Sequence, residues 1–191
     1  VRHTSADAYQ YGYDVEKDYE RALEMYKKAD LADPDNKTIK LQIGWLYNDM
    51  KEYAEMHSQF LLYGYNDPEV CNHLGWAYLQ GLGKRKDLNQ AKRYFRRAAE
   101  KDSKYYYGLA VVCEKAGDKI GYFMNAKKCY ETKHFLSHHL MALAYKDGLG
   151  VKQNVAEAEY HFENAMHYAK DRKVLNMFCY TGGFSIYALR G

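Results

Sequence analysis

The sequence predicts an all-α chain of about five helix-turn-helix units in tandem, closed by a C-terminal capping helix. Three observations predict it. First, Leu74-Gly75-Trp76-Ala77-Tyr78-Leu79-Gln80-Gly81-Leu82-Gly83 returns as Met141-Ala142-Leu143-Ala144-Tyr145-Lys146-Asp147-Gly148-Leu149-Gly150, and the flanking Lys84–Ala91 and Val151–Ala158 align with no insertion. Second, an aromatic or large apolar marker recurs as Tyr26, Phe60, Phe95, Tyr130 and Phe162, at intervals of 34, 35, 35 and 32 residues. A period of this size belongs to stacked helix pairs. Third, the 191 residues contain only two prolines, Pro34 and Pro68, and proline is what breaks helix interiors.

The second helix of each unit is marked by a small or packing residue, an aromatic four later, and a third packing position three beyond that. The sets are Ala22/Tyr26/Ala29, Met56/Phe60/Tyr63, Ala91/Phe95/Ala98, Ala126/Tyr130/Lys133 and Ala158/Phe162/Ala165. That spacing places the three on one helix face. The first helices carry a small residue followed three later by a larger one: Ala6/Tyr9, Gly44/Tyr47, Gly75/Tyr78, Gly108/Val111 and Ala142/Tyr145. A small residue there lets two helices approach closely. From small marker to alanine-like marker, copies one, three and five each measure 16 residues, whereas copy two is four shorter and copy four two longer.

Punctuation agrees with this division. Gly81 and Gly83, and Gly148 and Gly150, suit positive φ at a helix end. Asp18, Asp87 and Asn154 stand four residues before the alanine markers, where an N-cap belongs. Asp87 with Gln90, and Asn154 with Glu157, have capping-box spacing. Asn48–Glu52 makes a tighter turn, while Asp33-Pro34-Asp35-Asn36, Asn66-Asp67-Pro68 and Asp102-Ser103-Lys104 separate units. The units are expected at about 3–33, 37–66, 69–101, 103–134 and 136–169, as one domain. Residues 172–190, with Gly182-Gly183 interrupting an apolar pattern, are expected to form a terminal cap or the start of a sixth unit.

Copies three and five resemble Sel1-like repeats, whose pattern is a small/Leu/Tyr helix, a Gly-x-Gly-Val-x-x-Asp turn and a second helix rich in alanine and aromatics. Gly81, Gly83, Asp87, Ala91, Tyr94, Phe95, Ala98 and Ala99 carry the likeness in copy three. Gly148, Gly150, Val151, Ala158, His161, Phe162 and Ala165 carry it in copy five, with Asn154 in place of Asp. Copy one fits from Ala6 to Ala29, with Asp14 at the second glycine position. Copy two is closer to a plain tetratricopeptide repeat, and copy four is degenerate. The resemblance implies a right-handed α-solenoid in which first helices line a concave surface that binds a peptide or partner domain. It places Trp45, Asn48, Asp49, Asn72, Trp76, Leu79, Gln80, Tyr105, His139, Leu143, Lys146 and Asp147 on that surface. Asparagine amides there suit an extended peptide backbone and aromatics supply anchoring area. The alternative is that Trp45 and Trp76 pack between units. The resemblance also admits a bacterial immunity or inhibitor protein that occludes a toxin.

Composition narrows the remaining functions. Hydrophobic content of 47% and charged content of 28% are those of a folded chain, and no stretch of about 18 apolar residues is present. The first residues show no signal peptide, so a cytoplasmic location is expected, although a start at Val1 rather than Met suits a fragment. Cys71, Cys113, Cys129 and Cys179 form no CxxC pair and are expected as reduced, buried thiols, with a Cys113–Cys129 bridge open to a secreted protein. Residues 1–70 hold 8 Lys+Arg against 14 Asp+Glu, net −6, and residues 71–191 hold 20 against 11, net +9.

No phosphate loop or nucleophile motif occurs, so no enzyme and no cofactor are expected. His134 and His138, spaced i, i+4 with His139 and His161 or His167 nearby, are the only metal-like group. Without a glutamate between them no metal is expected. Lys84, Arg85, Lys86, Arg93, Arg96 and Arg97 are a basic patch. With the Tyr105–Tyr107 run they suggest RNA binding as a second alternative, against a solvated outer face.

Overall fold

The computed structural model describes residues 4–134 and 136–170. Within them lie ten α-helices and no strand: α1 (Ser5–Tyr11), α2 (Tyr19–Ala32), α3 (Lys37–Asp49), α4 (Tyr53–Tyr63), α5 (Pro68–Gln80), α6 (Leu88–Lys101), α7 (Tyr106–Lys115), α8 (Lys119–Glu131), α9 (Ser137–Asp147) and α10 (Val155–Lys170). Successive pairs α1/α2, α3/α4, α5/α6, α7/α8 and α9/α10 pack as hairpins. The first three hairpins lie in one compact unit, Val1–Asp102, and the other two in a second, Ser103–Gly191. The expected terminal cap, residues 172–190, lies outside the described residues, as does Cys179.

The turns of copies one, three and five are one structure made three times. Gly12, Gly81 and Gly148 cap their helices in left-handed conformation, with φ of 78°, 80° and 64°. Behind each, the next residue's amide reaches back to Ala8, Ala77 or Ala144 at 3.0, 2.9 and 3.0 Å. This six-to-one bond is the Schellman closure. The N-cap amides of Asp18, Asp87 and Asn154 then donate to the carbonyls of Tyr9, Tyr78 and Tyr145, each at 3.0 Å. That bond corrects the capping-box expectation. Asp87 and Asn154 do accept from the Gln90 and Glu157 amides, but their own amides serve the first helix instead of the Gln90 or Glu157 side chain. The reciprocal box occurs at Thr4 and Asp7, opening α1.

Asp14 adopts the conformation of the glycine it replaces, φ 58°, against 67° for Gly83 and 74° for Gly150. Aspartate tolerates this region better than most residues. Lys51, at φ 64°, tightens the short α3–α4 turn in the same way.

The core follows the two helical markers. Ala22, Met56, Ala91, Ala126 and Ala158 are buried, as are Tyr26, Phe60, Phe95 and Phe162. The small first-helix residues are required by sterics: a Cβ on Gly44 would lie 2.6 Å from the Phe60 ring, and one on Gly75 2.7 Å from the Phe95 ring. In the first unit Ala6, Ala22, Tyr26, Ile43 and Leu46 join α1, α2 and α3. In the second, Ala110, Cys113, Tyr122, Ala126, Cys129, Leu140, Met141 and Ala144 join α7, α8 and α9. Cys71, Cys113 and Cys129 are buried, and burial pushes the Cys129 thiol up to about 12. They pack as small apolar groups.

Turns also touch the preceding hairpin. A Cβ on Gly83 would lie 2.5 Å from the Tyr53 carbonyl carbon at the start of α4, and one on Gly150 would collide with the Lys119 carbonyl at the start of α8. His57 of α4 reinforces the first of these contacts, its Nε2 lying 3.0 Å from the Leu82 carbonyl. That carbonyl accepts, so Nε2 carries the proton.

Candidate partner-binding surface

In the first unit the candidate residues stand on α3 and α5. Trp45 is half-buried, its ring edge-on to Phe60 at 4.7 Å and to His73 at 4.5 Å. Trp76 repeats this one hairpin later, edge-on to Phe95 at 5.1 Å. Each tryptophan therefore packs on the second-helix phenylalanine of its own hairpin and leaves part of its ring open. Edge-to-face packing of this kind fixes the ring's orientation. Asn48 and Asn72 are half-buried, and Asp49 and Gln80 exposed. Leu79 is buried, at 7% exposure. By helical spacing it shares the face of Asn72 and Trp76, but it lies beneath the surface that those two leave open.

Asp49 has a second role. Its Oδ2 accepts from Gln10 Nε2 at 2.8 Å, and Gln10 is fully buried. The single Tyr26 O–H proton is shared between Gln10 Oε1, at 3.1 Å, and Asp7 Oδ1. This chain of bonds ties α1, α2 and α3 together. Burial and then Asp7 raise the Tyr26 phenol well above its ordinary value, so it stays a donor. Neither Gln10 nor His73 stands out in the sequence. Gln10 aligns with Asn48 and Lys146 in copies two and five but with Leu79 and Val112 in copies three and four, and His73 gains its meaning only from Trp45 across the helix packing. Burial lowers the His73 imidazole, leaving it neutral beside the indole.

In the second unit Tyr105 and Leu143 are half-buried, and Lys146 and Asp147 exposed. His139 is 1% exposed, so it too leaves the candidate surface for the core of α9. Burial holds its pKa down to about 4.

The basic residues divide by environment. Lys84, Arg85, Lys86, Arg93 and Arg96 are exposed, while the Arg97 guanidinium covers the Tyr65 ring at 5.1 Å. The Tyr105–Tyr107 run is no open stacking platform: Lys104 covers Tyr105 at 4.8 Å, Lys128 covers Tyr106 at 4.9 Å, and Tyr107 packs on the core.

The histidines resolve differently from their spacing. His134 precedes α9, which begins at Ser137, so His134 and His138 do not share a helix. The close pair is His138 with His161 of α10, Nδ1 to Nδ1 at 2.9 Å, ringed by Tyr130, Tyr145 and Tyr160. One imidazole donates and the other accepts. Among the described residues no group of three or more His, Cys, Asp or Glu is placed to hold a metal ion. No described helix is long and apolar enough to cross a membrane.

Comparison with known proteins matches this architecture. Ribosomal RNA large subunit methyltransferase I of Tolumonas auensis is 74% identical over 27 residues, and that of Vibrio campbellii is 62% identical over 29. These matches cover 14% and 15% of this chain, and the chain spans only 7% of the length of either methyltransferase. Among solved structures, c5321, a protective antigen of uropathogenic Escherichia coli displaying an SLR fold, superposes with a TM-score of 0.67 at 24% identity. That match covers 85% of this chain and 36% of the antigen. MamA superposes at 0.66 with 21% identity, over 91% of this chain and 99% of its own. A Sel1 repeat protein from Oxalobacter formigenes gives 0.59 at 22% identity, over 85% of this chain and 69% of its own. The Sel1 repeat family matches residues 5–29, 68–103 and 136–165, the first, third and fifth hairpins. With those three regions matched and the fold shared with solved Sel1-type structures, the chain carries Sel1 repeats in its first, third and fifth hairpins.

Proposed function

We propose that this chain is a non-catalytic protein-interaction module that holds a peptide or partner domain on the exposed side of its first helices. Sel1-repeat folds typically serve as protein-interaction scaffolds. The observation that carries the reading is the division of labour inside each hairpin. In the first unit the second helices bury Ala22, Tyr26, Met56, Phe60, Ala91 and Phe95 in the core, while α3 and α5 leave Trp45, Asn48, Asn72, Trp76 and Gln80 part-exposed. Such a surface pairs rigid aromatic area with amide donors and acceptors, which is what an extended peptide needs. In the second unit Tyr105, Leu143, Lys146 and Asp147 are the corresponding candidates.

Affinity capture from the native cell tests this. Single alanine substitutions at Asn72, Trp76 and Lys146 are each expected to weaken retention of the captured partner, Trp76 most, by about 2 kcal/mol or roughly 30-fold. Retention unchanged in all three would sink the assignment. The non-catalytic reading has its own test, prompted by the short methyltransferase match. Incubated with radiolabelled S-adenosylmethionine and ribosomal RNA, this chain is expected to transfer no methyl group. Incorporated label would overturn that part of the reading.

A further inference from the structure

The fourth hairpin departs from the others at two of its marker positions. Where the other second helices bury a ring, Tyr130 is only half-buried, and the third marker is Lys133, exposed and left-handed at φ 54°. Both residues line a cleft of about 510 Å³, together with His134, Ser137, His138 and Tyr160.

Four groups in this cleft call for a negatively charged oxygen. Ser137 is 1% exposed, and its Oγ has no hydrogen-bond partner among the described residues. A buried hydroxyl in that state calls for a further partner, such as a water, an ion or a ligand. Ser137 also opens α9, an 11-residue helix whose N-cap, Leu136, supplies no side-chain cap. The positive end of the helix dipole is therefore left without a carboxylate or hydroxyl cap. Lys133 brings an ammonium to the same cleft. His134 Nδ1 accepts from the Leu136 amide at 3.3 Å, which puts its proton on Nε2 as a donor. The His138–His161 pair, walled by tyrosine rings, fixes the orientation of the His138 imidazole.

We propose that this cleft binds a phosphate-type oxyanion, supplied either as free phosphate or on a phosphorylated side chain of a partner. The second source rests on the protein-interaction reading; the first does not. Hydroxyl, ammonium, imidazole and helix N-terminus are all donors, and a tetrahedral oxyanion offers enough oxygens to meet several of them at once. A cation finds no such set here. Glu131, exposed at the cleft's edge, opposes the anion and keeps its affinity moderate.

The test is titration of the intact, isotopically labelled chain with inorganic phosphate at pH 7.5, read on imidazole and amide resonances, with phosphoserine and serine as parallel arms. Saturable shifts of His134 and His138 at millimolar phosphate are expected. Ser137→Ala is expected to weaken binding about tenfold, the effect of one hydrogen bond to a charged group. Lys133→Gly, which keeps the left-handed backbone, is expected to weaken it similarly. Glu131→Gln is expected to tighten it about threefold, the effect of one exposed charge. This gain cannot arise from misfolding. Tighter binding of phosphoserine than of phosphate assigns the partner-borne source, and the reverse assigns free phosphate. Absence of saturable shifts, or equal affinity in all three variants, overturns the proposal. Partner capture plays no part in this readout, so capture can fail while phosphate binding stands.

Discussion

Gly83→Ala is expected to destabilise the first unit by about 3 kcal/mol, against about 1 kcal/mol for Gly81→Ala two residues earlier. Both glycines are left-handed, at φ 67° and 80°, so both substitutions carry the same backbone strain. They differ in what a methyl group meets. On Gly81 its nearest neighbours are the Lys86 side chain and amide, both at 3.4 Å, and the Lys84 carbonyl at 3.7 Å, all ordinary contacts. On Gly83 it meets the Tyr53 carbonyl carbon at 2.5 Å and the Ala54 nitrogen at 2.8 Å, which are backbone atoms of α4 and cannot rotate away. Relief requires the turn to lift off the helix, breaking the His57–Leu82 bond as well. Urea unfolding followed by tryptophan fluorescence measures this directly, because both tryptophans, Trp45 and Trp76, lie in this unit. The second unit supplies a replicate: Gly150→Ala is expected to exceed Gly148→Ala for the same reason. Equal losses at Gly81 and Gly83 would show that the turn is not held against α4.

Acid is expected to weaken the second unit through His139 and His161. In an unfolded chain each imidazole titrates near 6.5. In the fold burial lowers both to about 4, with His138 adding to the effect on His161. Between those values the unfolded chain binds protons that the native one refuses. The stability is therefore complete above about pH 6.5 and drains away as pH falls toward 4, up to about 3 kcal/mol for each histidine. The His138–His161 pair admits one charge, since protonated Nδ1 can donate to unprotonated Nδ1. A second charge sets two N–H groups against each other at 2.9 Å. The tyrosine rings around the pair supply no countercharge, and of the groups lining the adjoining cleft Glu131 is opposed by Lys133. Helical circular dichroism melts at pH 7.5, 6 and 5 give the slope for wild type and for His161→Gln, which keeps a hydrogen-bonding side chain without a titrating one. A shallower slope is expected in the variant, and identical slopes would remove His161 as a cause.

What the sequence revealed depended on whether the physics was local. Hairpins and turns were legible because glycine φ, N-caps and i, i+4 faces are set within a few residues; even Asp14 was identifiable as a stand-in for glycine by alignment with Gly83. Close approach was legible in kind, since Gly75 had to be small for some neighbour. That the neighbour is Phe95 followed from the hairpin. Contacts between hairpins were not legible. Gly83 looked like helix punctuation because its other constraint comes from Tyr53, thirty residues earlier. The candidate surface suffered similarly. Counting from the small marker placed Leu79 and His139 on the open surface, whereas both are buried. The histidine spacing failed through a boundary: α9 starts three residues after His134, so the i, i+4 argument had no helix to act on.

The degenerate fourth hairpin bears on how many ligands one chain can hold. In a repeat protein any pocket built from the shared motif is built again at every copy, and a ligand that reads the motif binds with several equivalents. Lys133 stands where the other hairpins carry alanine or tyrosine, Tyr130 is half-buried where its counterpart Tyr26 is buried, and Ser137 has no counterpart in the aligned third copy, where Val70 occupies its position. A ligand that requires all three residues binds with a stoichiometry of one. In this chain, individuality comes from the copy that departs from the pattern.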